Sequence, residues 1–225
     1  LLLIVLHHIL ADERSLGVLW KDLAAAYDGR PDGAGPPLQY DDYVHWTRRE
    51  APRERGEALD YWKQRLDPLP DDLRLPFERT AADGAGPRGR LRSRALPPSV
   101  TDGVRRLAAA TGNTPFAVFA FAFRLLLQRY TDGQRVAFAT PVSARSHPAT
   151  ADMVGYFLNP VVVSSRIDEG RPVEGAVRDF GLDLRRDLAR SALPFDRLAE
   201  ALSPPRQRDR RGNSAHGLRR HHRYR

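Results

Sequence analysis

The first residues of the chain constrain its fold more than any other stretch. Residues 1–6 are all apolar and run directly into His7 and His8. An unbroken apolar run of this kind, bounded by polar residues, predicts a strand that is buried on both faces. Because successive strand side chains point to opposite faces, only one of the two histidines would face a given cavity. Asp12 follows just beyond the predicted strand, where its carboxylate would orient an imidazole or brace the loop through an arginine.

Composition indicates a globular protein and excludes cysteine chemistry. Of the 225 residues, 41% are hydrophobic and 28% are charged, which is typical of a folded chain with one large domain or two smaller lobes. There is no cysteine, so the sequence excludes disulfides, thiolate metal sites and cysteine nucleophiles. The initial apolar run is too short to cross a membrane, and no basic segment precedes it. We therefore expect a cytoplasmic protein that does not act at a membrane.

The net charge of +8 is concentrated at the carboxyl end of the sequence. Residues 206–225 contain eight arginines and one aspartate, so the rest of the chain is close to neutral. Nucleic-acid-binding domains carry their basic residues as a stripe on the folded surface, and this distribution disfavours that function. Because the segment lacks apolar periodicity, we expect a disordered basic tail that comes from a frameshift in the coding DNA. The chain also begins inside a predicted strand without an initiator methionine, which suggests a fragment.

Apolar periodicity predicts an alternation of helices and strands along the chain. A helix with Ser15 as its N-cap follows the histidines, and its leucine and aromatic stripe is interpreted as a core face. The helix that begins at Pro115 is apolar nearly all round, so its phenylalanines are predicted to lie in the core. The other predicted helices begin at about residue 41 or cover residues 57–66, 98–110 and 173–190, and the other predicted strands cover residues 90–96, 136–140 and 161–165.

Four separate motifs follow one another along the chain: His7-His8-Ile-Leu-Ala-Asp12, Pro141-Val-Ser-Ala-Arg145, Gly155-Tyr-Phe-Leu-Asn159 and Leu193-Pro-Phe-Asp-Arg-Leu198. In sequence and in order they resemble the motifs of condensation domains, the peptide-bond-forming units of nonribosomal peptide synthetases. The resemblance covers residues 1 to about 205. Glu13 stands where the family's first motif usually has glycine.

This resemblance implies a mixed α/β (α+β) fold of two lobes similar to chloramphenicol acetyltransferase, with mixed sheets flanked by helices. Residues 1–70 would form the C-terminal part of the first lobe, with the histidine motif and the crossing helices. Residues 71–89 would be the linker, and residues 90–205 the N-terminal part of the second lobe. Both lobes would then be incomplete, and residues 206–225 would be the tail.

The resemblance also implies the reaction and its participants. A donor carrier protein presents an acyl or peptidyl thioester, and the amine of an aminoacyl thioester on an acceptor carrier protein attacks it. The substrates arrive on phosphopantetheine arms from carrier proteins and adjacent synthetase modules, while the domain itself binds no metal or other cofactor. His8 is the implied catalytic residue, either as a general base or as a group that positions the amine or stabilises the oxyanion. His7 and Asp12 would be supporting residues at the active site.

The remaining site residues and two alternatives follow from the same resemblance. Ser15, Arg145 and Asn159 are expected at the lobe interface or the substrate tunnel. In the family, the aspartate of the first motif pairs with an arginine upstream of that motif. One alternative function is a CoA-dependent acyltransferase, which would share the spacing of His8 and Asp12. The other alternative is a truncated fragment of a condensation domain without catalytic activity.

Overall fold

The computed structural model describes residues 2–30, 38–50, 52–68, 91–131, 135–168 and 170–202. These ranges contain seven α-helices and one two-stranded antiparallel sheet. In chain order the elements are α1 (Glu13–Tyr27), α2 (Tyr40–Glu50), α3 (Pro52–Arg65), α4 (Pro98–Thr111), α5 (Pro115–Tyr130), β1 (Val136–Ser143), β2 (Leu158–Ser165), α6 (Val173–Leu188) and α7 (Phe195–Leu202).

The chain divides into two compact units. The described residues of the first unit come from 1–64, 140–161 and 190–202, and those of the second come from 65–139 and 162–189. The predicted linker at residues 71–89 lies outside the described residues, so a lobe boundary there stays a prediction. The predicted tail at residues 206–225 also lies outside them.

The core of the second unit lies among three helices. It contains buried side chains from α4, α5 and α6 together with Val163 of β2. The sequence sets the helix ends: the Thr114 side chain accepts a hydrogen bond from the backbone N–H of Ala117 and caps α5, while Gly112, with a φ of +65°, ends α4. The predicted helices from residues 98 and 115 are therefore confirmed.

The prediction that the phenylalanines of α5 lie in the core is correct only for Phe121. The side chains of Phe116, Phe119 and Phe123 are each nearly half exposed. The buried face of α5 instead includes two alanines, Val118 and Arg124, because α5 packs against α4 and α6 with one side only. An apolar composition around a whole helix therefore did not ensure burial on every side.

Two predicted strands are wrong. Residues 2–6 have no regular secondary structure, and Leu3 and Val5 are 81% and 82% exposed. Residues 91–96 also lack regular structure, and Leu91 is 95% exposed. A strand needs a neighbour that completes its hydrogen bonds, and within the described ranges the only sheet consists of β1 and β2.

Helix α1 begins earlier than the sequence predicted, and its apolar stripe is exposed. Asp12, not Ser15, is the N-cap: its backbone is extended and its side chain accepts a hydrogen bond from the backbone N–H of Ser15. Ser15 is the one fully buried residue of the described helix, whereas Trp20 and Tyr27 are at least half exposed. The interpretation of the stripe as a core face is wrong for the described structure, because the helix is held through its polar N-terminal turn.

No single helix in the described ranges is long and apolar enough to cross a bilayer. Helices α4 and α5 together are long and apolar enough, but the chain bends by 103° at the break between the two helices.

Candidate active site

His7 and His8 lie in a tight turn that leads to α1. The backbone N–H of Leu10 donates to the carbonyl oxygen of His7 at 2.9 Å, which closes the turn. The backbone N–H of Ile9 donates to Nδ1 of His7 at 3.1 Å. The His7 imidazole is therefore used to hold the turn that carries His8.

The carbonyl oxygen of Ala11 fixes the tautomer of His8. The two atoms that face each other are Nδ1 of His8 and the Ala11 oxygen, 2.8 Å apart. Because a carbonyl oxygen can only accept, Nδ1 carries the proton, and Nε2 of the neutral ring is an unprotonated acceptor. His7 has the opposite tautomer: its Nδ1 accepts a hydrogen bond from the backbone N–H of Ile9, so its neutral ring carries the proton on Nε2. Of the two histidines, only His8 has a basic Nε2.

The His8 ring packs against the ring of Tyr156. Their centroids are 5.2 Å apart and their planes are inclined by 86°, which is an edge-to-face arrangement. Aromatic pairs favour this geometry because the positive edge of one ring meets the negative face of the other. One hydrogen bond and one ring contact therefore restrain the His8 imidazole.

Asp12 forms a buried ion pair with Arg145. Nη2 of Arg145 lies 3.0 Å from Oδ1 of Asp12, and Nε lies 3.3 Å from Oδ2, so the pair is bidentate. The Asp12 side chain is 4% exposed and the Arg145 side chain is 5% exposed. The partner of Asp12 is therefore in the second motif of the chain, not upstream of the first motif as the family resemblance implied.

Hydrogen bonds hold Asp12 in its ionised form. Burial by itself would raise the pKa of Asp12, but hydrogen bonds from Arg145 and Ser15 lower that pKa to about 2. The Oδ1 atom also accepts the backbone N–H of Ser15 at 2.8 Å. Asp12 therefore acts as a fixed negative charge that braces the loop, and the His8 imidazole is oriented by Ala11 instead.

All five N–H groups of Arg145 have partners. Nε and one N–H of Nη2 donate to the two carboxylate oxygens of Asp12. The second N–H of Nη2 donates to Oγ of Ser15 at 2.9 Å, and the two N–H groups of Nη1 donate to the carbonyl oxygens of Thr150 and Met153. The guanidinium also lies 3.8 Å from the centroid of the Phe157 ring. With every donor occupied, Arg145 stabilises the loop and has no free N–H for a substrate.

Ser15 connects the histidine loop to Gly155. Its Oγ accepts the backbone N–H of Gly155 at 3.0 Å. The same Oγ lies 2.7 Å from Oδ1 of Asp12 and 2.8 Å from the Gly155 carbonyl oxygen, and its one hydroxyl proton can be donated to either acceptor. The backbone N–H of Asp12 donates to the same carbonyl at 3.1 Å. The first and third sequence motifs are thereby joined through buried hydrogen bonds.

Position 155 has no room for a side chain. A Cβ there would lie 2.1 Å from Cδ2 of Tyr40. The Tyr40 hydroxyl donates to the carbonyl oxygen of Tyr156 at 2.7 Å, so Tyr40 also holds the next residue of the third motif. The sequence analysis placed Gly155 and Tyr156 in a motif but predicted no role at the site for either residue. It did not predict that Tyr40 lies at the site.

Asn159 makes its hydrogen bonds at a different place. Its Nδ2 donates to the carbonyl oxygens of Ser191 and Leu193, both at 2.7 Å, and its Oδ1 accepts the backbone N–H of Phe195 at 3.0 Å. Asn159 therefore holds the loop that leads into α7, and its predicted place at the tunnel stays a prediction.

The predicted site residues thus fall into three groups. His7 and His8 lie on the turn, Asp12, Ser15 and Arg145 form one buried network, and Asn159 anchors the α7 loop. In the described part of the chain, no three histidine, aspartate or glutamate side chains are grouped as metal ligands.

Comparison with known families and curated proteins gives one consistent result. The family model described as "Condensation domain" matches residues 1–213. The chain is 35% identical over 206 residues to the phosphinothricin tripeptide synthetase PhsC of Streptomyces viridochromogenes, which covers 89% of the chain and 19% of that protein. It is 34% identical over 220 residues to the isonitrile lipopeptide synthase of Mycobacterium tuberculosis, covering 91% of the chain and 9% of that protein. The chain thus spans about a fifth of these curated relatives or less.

Solved structures show the same fold. A four-domain nonribosomal peptide synthetase bound to AMP and glycine superposes with a TM-score of 0.76 and 25% identity, over 89% of this chain and 15% of that one. The first condensation domain of the calcium-dependent antibiotic synthetase gives a TM-score of 0.71 at 23% identity, over 88% of this chain and 45% of that one. The predicted chloramphenicol-acetyltransferase-like α/β fold is confirmed. This chain belongs to the condensation-domain family.

Proposed function

We propose that this chain takes part in nonribosomal peptide synthesis by forming an amide bond between two carrier-bound substrates, with His8 as its catalytic residue. The observation that supports the proposal is the tautomer of His8: its Nδ1 faces the Ala11 carbonyl at 2.8 Å, which leaves Nε2 unprotonated in the neutral ring. The lone pair of an unprotonated Nε2 can accept a proton from an attacking amine.

The chemistry needs one proton acceptor that then becomes a donor. The amine nitrogen of the acceptor substrate attacks the thioester carbonyl carbon of the donor substrate, a C–N bond forms, and the C–S bond breaks. Nε2 of His8 takes a proton from the attacking nitrogen and returns it to the departing thiolate, so the thiol of the donor carrier is released neutral. A positioned general base contributes a factor of about 10²–10⁴ to such a step.

The neighbouring residues support His8 in this proposal. His7 holds the turn through its Nδ1, and the ion pair of Asp12 and Arg145 fixes the far end of the loop. Because these groups are already bonded within the protein, they hold His8 in place instead of contacting the substrates.

The partners are part of the proposal. Both substrates would be thioesters on the phosphopantetheine arms of donor and acceptor peptidyl carrier proteins, which belong to adjacent modules of a cytoplasmic synthetase. The family membership supports this, since the curated relatives include tripeptide and lipopeptide synthetases. A CoA-dependent acyltransferase remains the alternative within the same fold, because the His8 and Asp12 arrangement would serve either thioester.

The experiment is amide formation from two loaded carrier proteins. We expect the chain to produce the carrier-bound amide, and we expect His8→Ala to lower the single-turnover rate by about 10²–10⁴-fold. Replacement of the donor carrier by the corresponding acyl-CoA tests the alternative. An equal or higher rate with acyl-CoA would overturn the assignment to carrier-bound donors.

A second candidate function is that of a truncated fragment without activity. The observation that favours it is the exposure of residues 2–6 and of the apolar stripe on α1, because exposed apolar surface of this extent usually has a covering partner. If the folded chain gives no amide while a longer version of the same protein does, the fragment interpretation holds. Turnover by the 225-residue chain that His8→Ala abolishes would contradict it.

A further inference from the structure

We infer that Tyr156 is a positioning residue for His8, which keeps the imidazole in the orientation that leaves Nε2 basic and available. The inference rests on the proposed function of His8. It assigns a role to a side chain that lies 148 positions along the chain from His8 and contacts the His8 ring.

The His8 ring needs a second restraint. In the described structure its hydrogen bond goes to the Ala11 carbonyl through Nδ1, and His8 is otherwise exposed. Rotation of the ring about its Cβ–Cγ bond, out of its present plane, would carry Nδ1 away from the Ala11 oxygen and break that bond. The edge-to-face contact with Tyr156, at 5.2 Å and 86°, holds the ring plane and therefore opposes this rotation.

The backbone around Tyr156 is held firmly enough to act as such a support. Gly155 exchanges hydrogen bonds with Ser15 and accepts one from the Asp12 backbone. The Tyr156 carbonyl accepts from the Tyr40 hydroxyl at 2.7 Å. The backbone N–H of Phe157 donates to Oδ2 of Asp12 at 3.4 Å.

These bonds tie each residue of the segment 155–157 to the histidine loop or to α2. The loop that carries His8 and the segment that carries Tyr156 are therefore bonded to each other at several points. A ring mounted on this segment keeps its place relative to the imidazole, which a ring on an independent loop would not do.

The hydroxyl of Tyr156 has no part in the inference, which makes a conservative variant informative. Tyr156→Phe keeps the aromatic contact, whereas Tyr156→Ala removes it and Tyr156→Leu replaces it with an apolar side chain that lacks a ring edge. Tyr27→Ala, at an exposed tyrosine of α1, is the matched control for the loss of a tyrosine ring.

The test is nitrogen-15 NMR of the imidazole side chains of the whole chain, with the His8 signals assigned from their loss in His8→Gln. We expect a protonated Nδ1 and an unprotonated Nε2 of His8 in the wild type, Tyr156→Phe and Tyr27→Ala. In Tyr156→Ala and Tyr156→Leu we expect the ratio of this tautomer to the other to fall roughly two- to tenfold. Unchanged His8 signals in both folded variants would overturn the inference.

The rate of amide formation separates this inference from the proposed function. We expect Tyr156→Ala to lower the rate roughly two- to tenfold and Tyr156→Phe to restore it. An active wild type with an unaltered Tyr156→Ala rate would overturn the positioning role and leave the proposed function standing. A folded wild type without activity, whose His8 tautomer still depends on Tyr156, would overturn the proposed function and leave the positioning of the ring standing.

Discussion

The carboxylate of Asp12 and the guanidinium of Arg145 form a bidentate, buried ion pair between residues 133 positions apart in the sequence. The pair closes the end of the loop that carries His7 and His8. Because the remaining donors of Arg145 reach Ser15 and two backbone carbonyls, one arginine links the first two sequence motifs of the chain. This pair and the hydrogen bonds between Ser15 and Gly155 therefore fix the end of the loop at the candidate active site.

Arg145→Ala is expected to lower the free energy of unfolding by about 3–5 kcal/mol, since the Asp12 carboxylate would stay buried without its charge partner. Urea unfolding followed by circular dichroism measures this change. Arg14→Ala is the matched control, because Arg14 is exposed and binds one backbone carbonyl, that of Ala151, through Nε. We expect the control to cost about 1 kcal/mol or less. Equal losses in the two variants would contradict the central place of the ion pair.

A fall in pH is expected to lower the free energy of unfolding of the first compact unit, because Asp12 becomes protonated. The pKa of Asp12 is lowered from 3.8 to about 2 in the folded protein, so the unfolded chain takes up a proton at a higher pH than the folded one. The resulting stabilisation, about 2 kcal/mol, is present above pH ~4 and is lost as the pH falls toward 2. Unfolding measured at several pH values in wild type and Asp12→Asn checks this: the difference between them should shrink as the pH falls through this range. A constant difference would contradict the lowered pKa.

Gly155→Ala is expected to destabilise the protein by about 1–3 kcal/mol, because the new methyl group would meet the Tyr40 ring. Gly17→Ala is the matched control: it lies within α1 with open space around it, and we expect stabilisation by about 0.5–1 kcal/mol. The double variant Gly155→Ala with Tyr40→Ala should lose less stability than the sum of the single changes. Strict additivity would show that the ring is not what excludes a side chain at this position.

In the second compact unit, Asp187→Ala is expected to lower the free energy of unfolding by about 3 kcal/mol. Asp187 is buried in α6 and accepts from Nε of Arg65 at 3.1 Å. Asp179→Ala, on the same helix, removes a half-exposed pair with Arg171 and should cost less than about 1 kcal/mol. Thermal unfolding of the two variants compares them directly. A larger loss in Asp179→Ala would contradict the importance of the buried pair.

Local signals in the sequence were sufficient for the ends of α4 and α5 and for the family. The Thr114-Pro115 cap and Gly112 fixed the junction of α4 and α5, since caps and left-handed glycines act within a few residues. The motif spacings predicted His8 and Asp12 as site residues without any knowledge of their distant partners, and that prediction stands untested.

Distant contacts account for what the sequence did not predict. The composition of the apolar run at residues 2–6 predicts a strand, but a strand forms only where a second strand pairs with it. The pairing of Asp12 with Arg145 and the close approach of Tyr40 to Gly155 depend on packing between segments more than a hundred residues apart, for which a single sequence carries no local signal.

The most direct test of the central claim compares the two adjacent histidines in single-turnover amide formation with loaded carrier proteins. His8 has the unprotonated Nε2, whereas Nδ1 of His7 is occupied by the turn. We predict that His8→Ala lowers the rate about 10²–10⁴-fold, and that His7→Ala lowers it far less. Equal losses in the two variants, or a rate in His8→Ala close to that of the wild type, would contradict the assignment of His8 as the catalytic base.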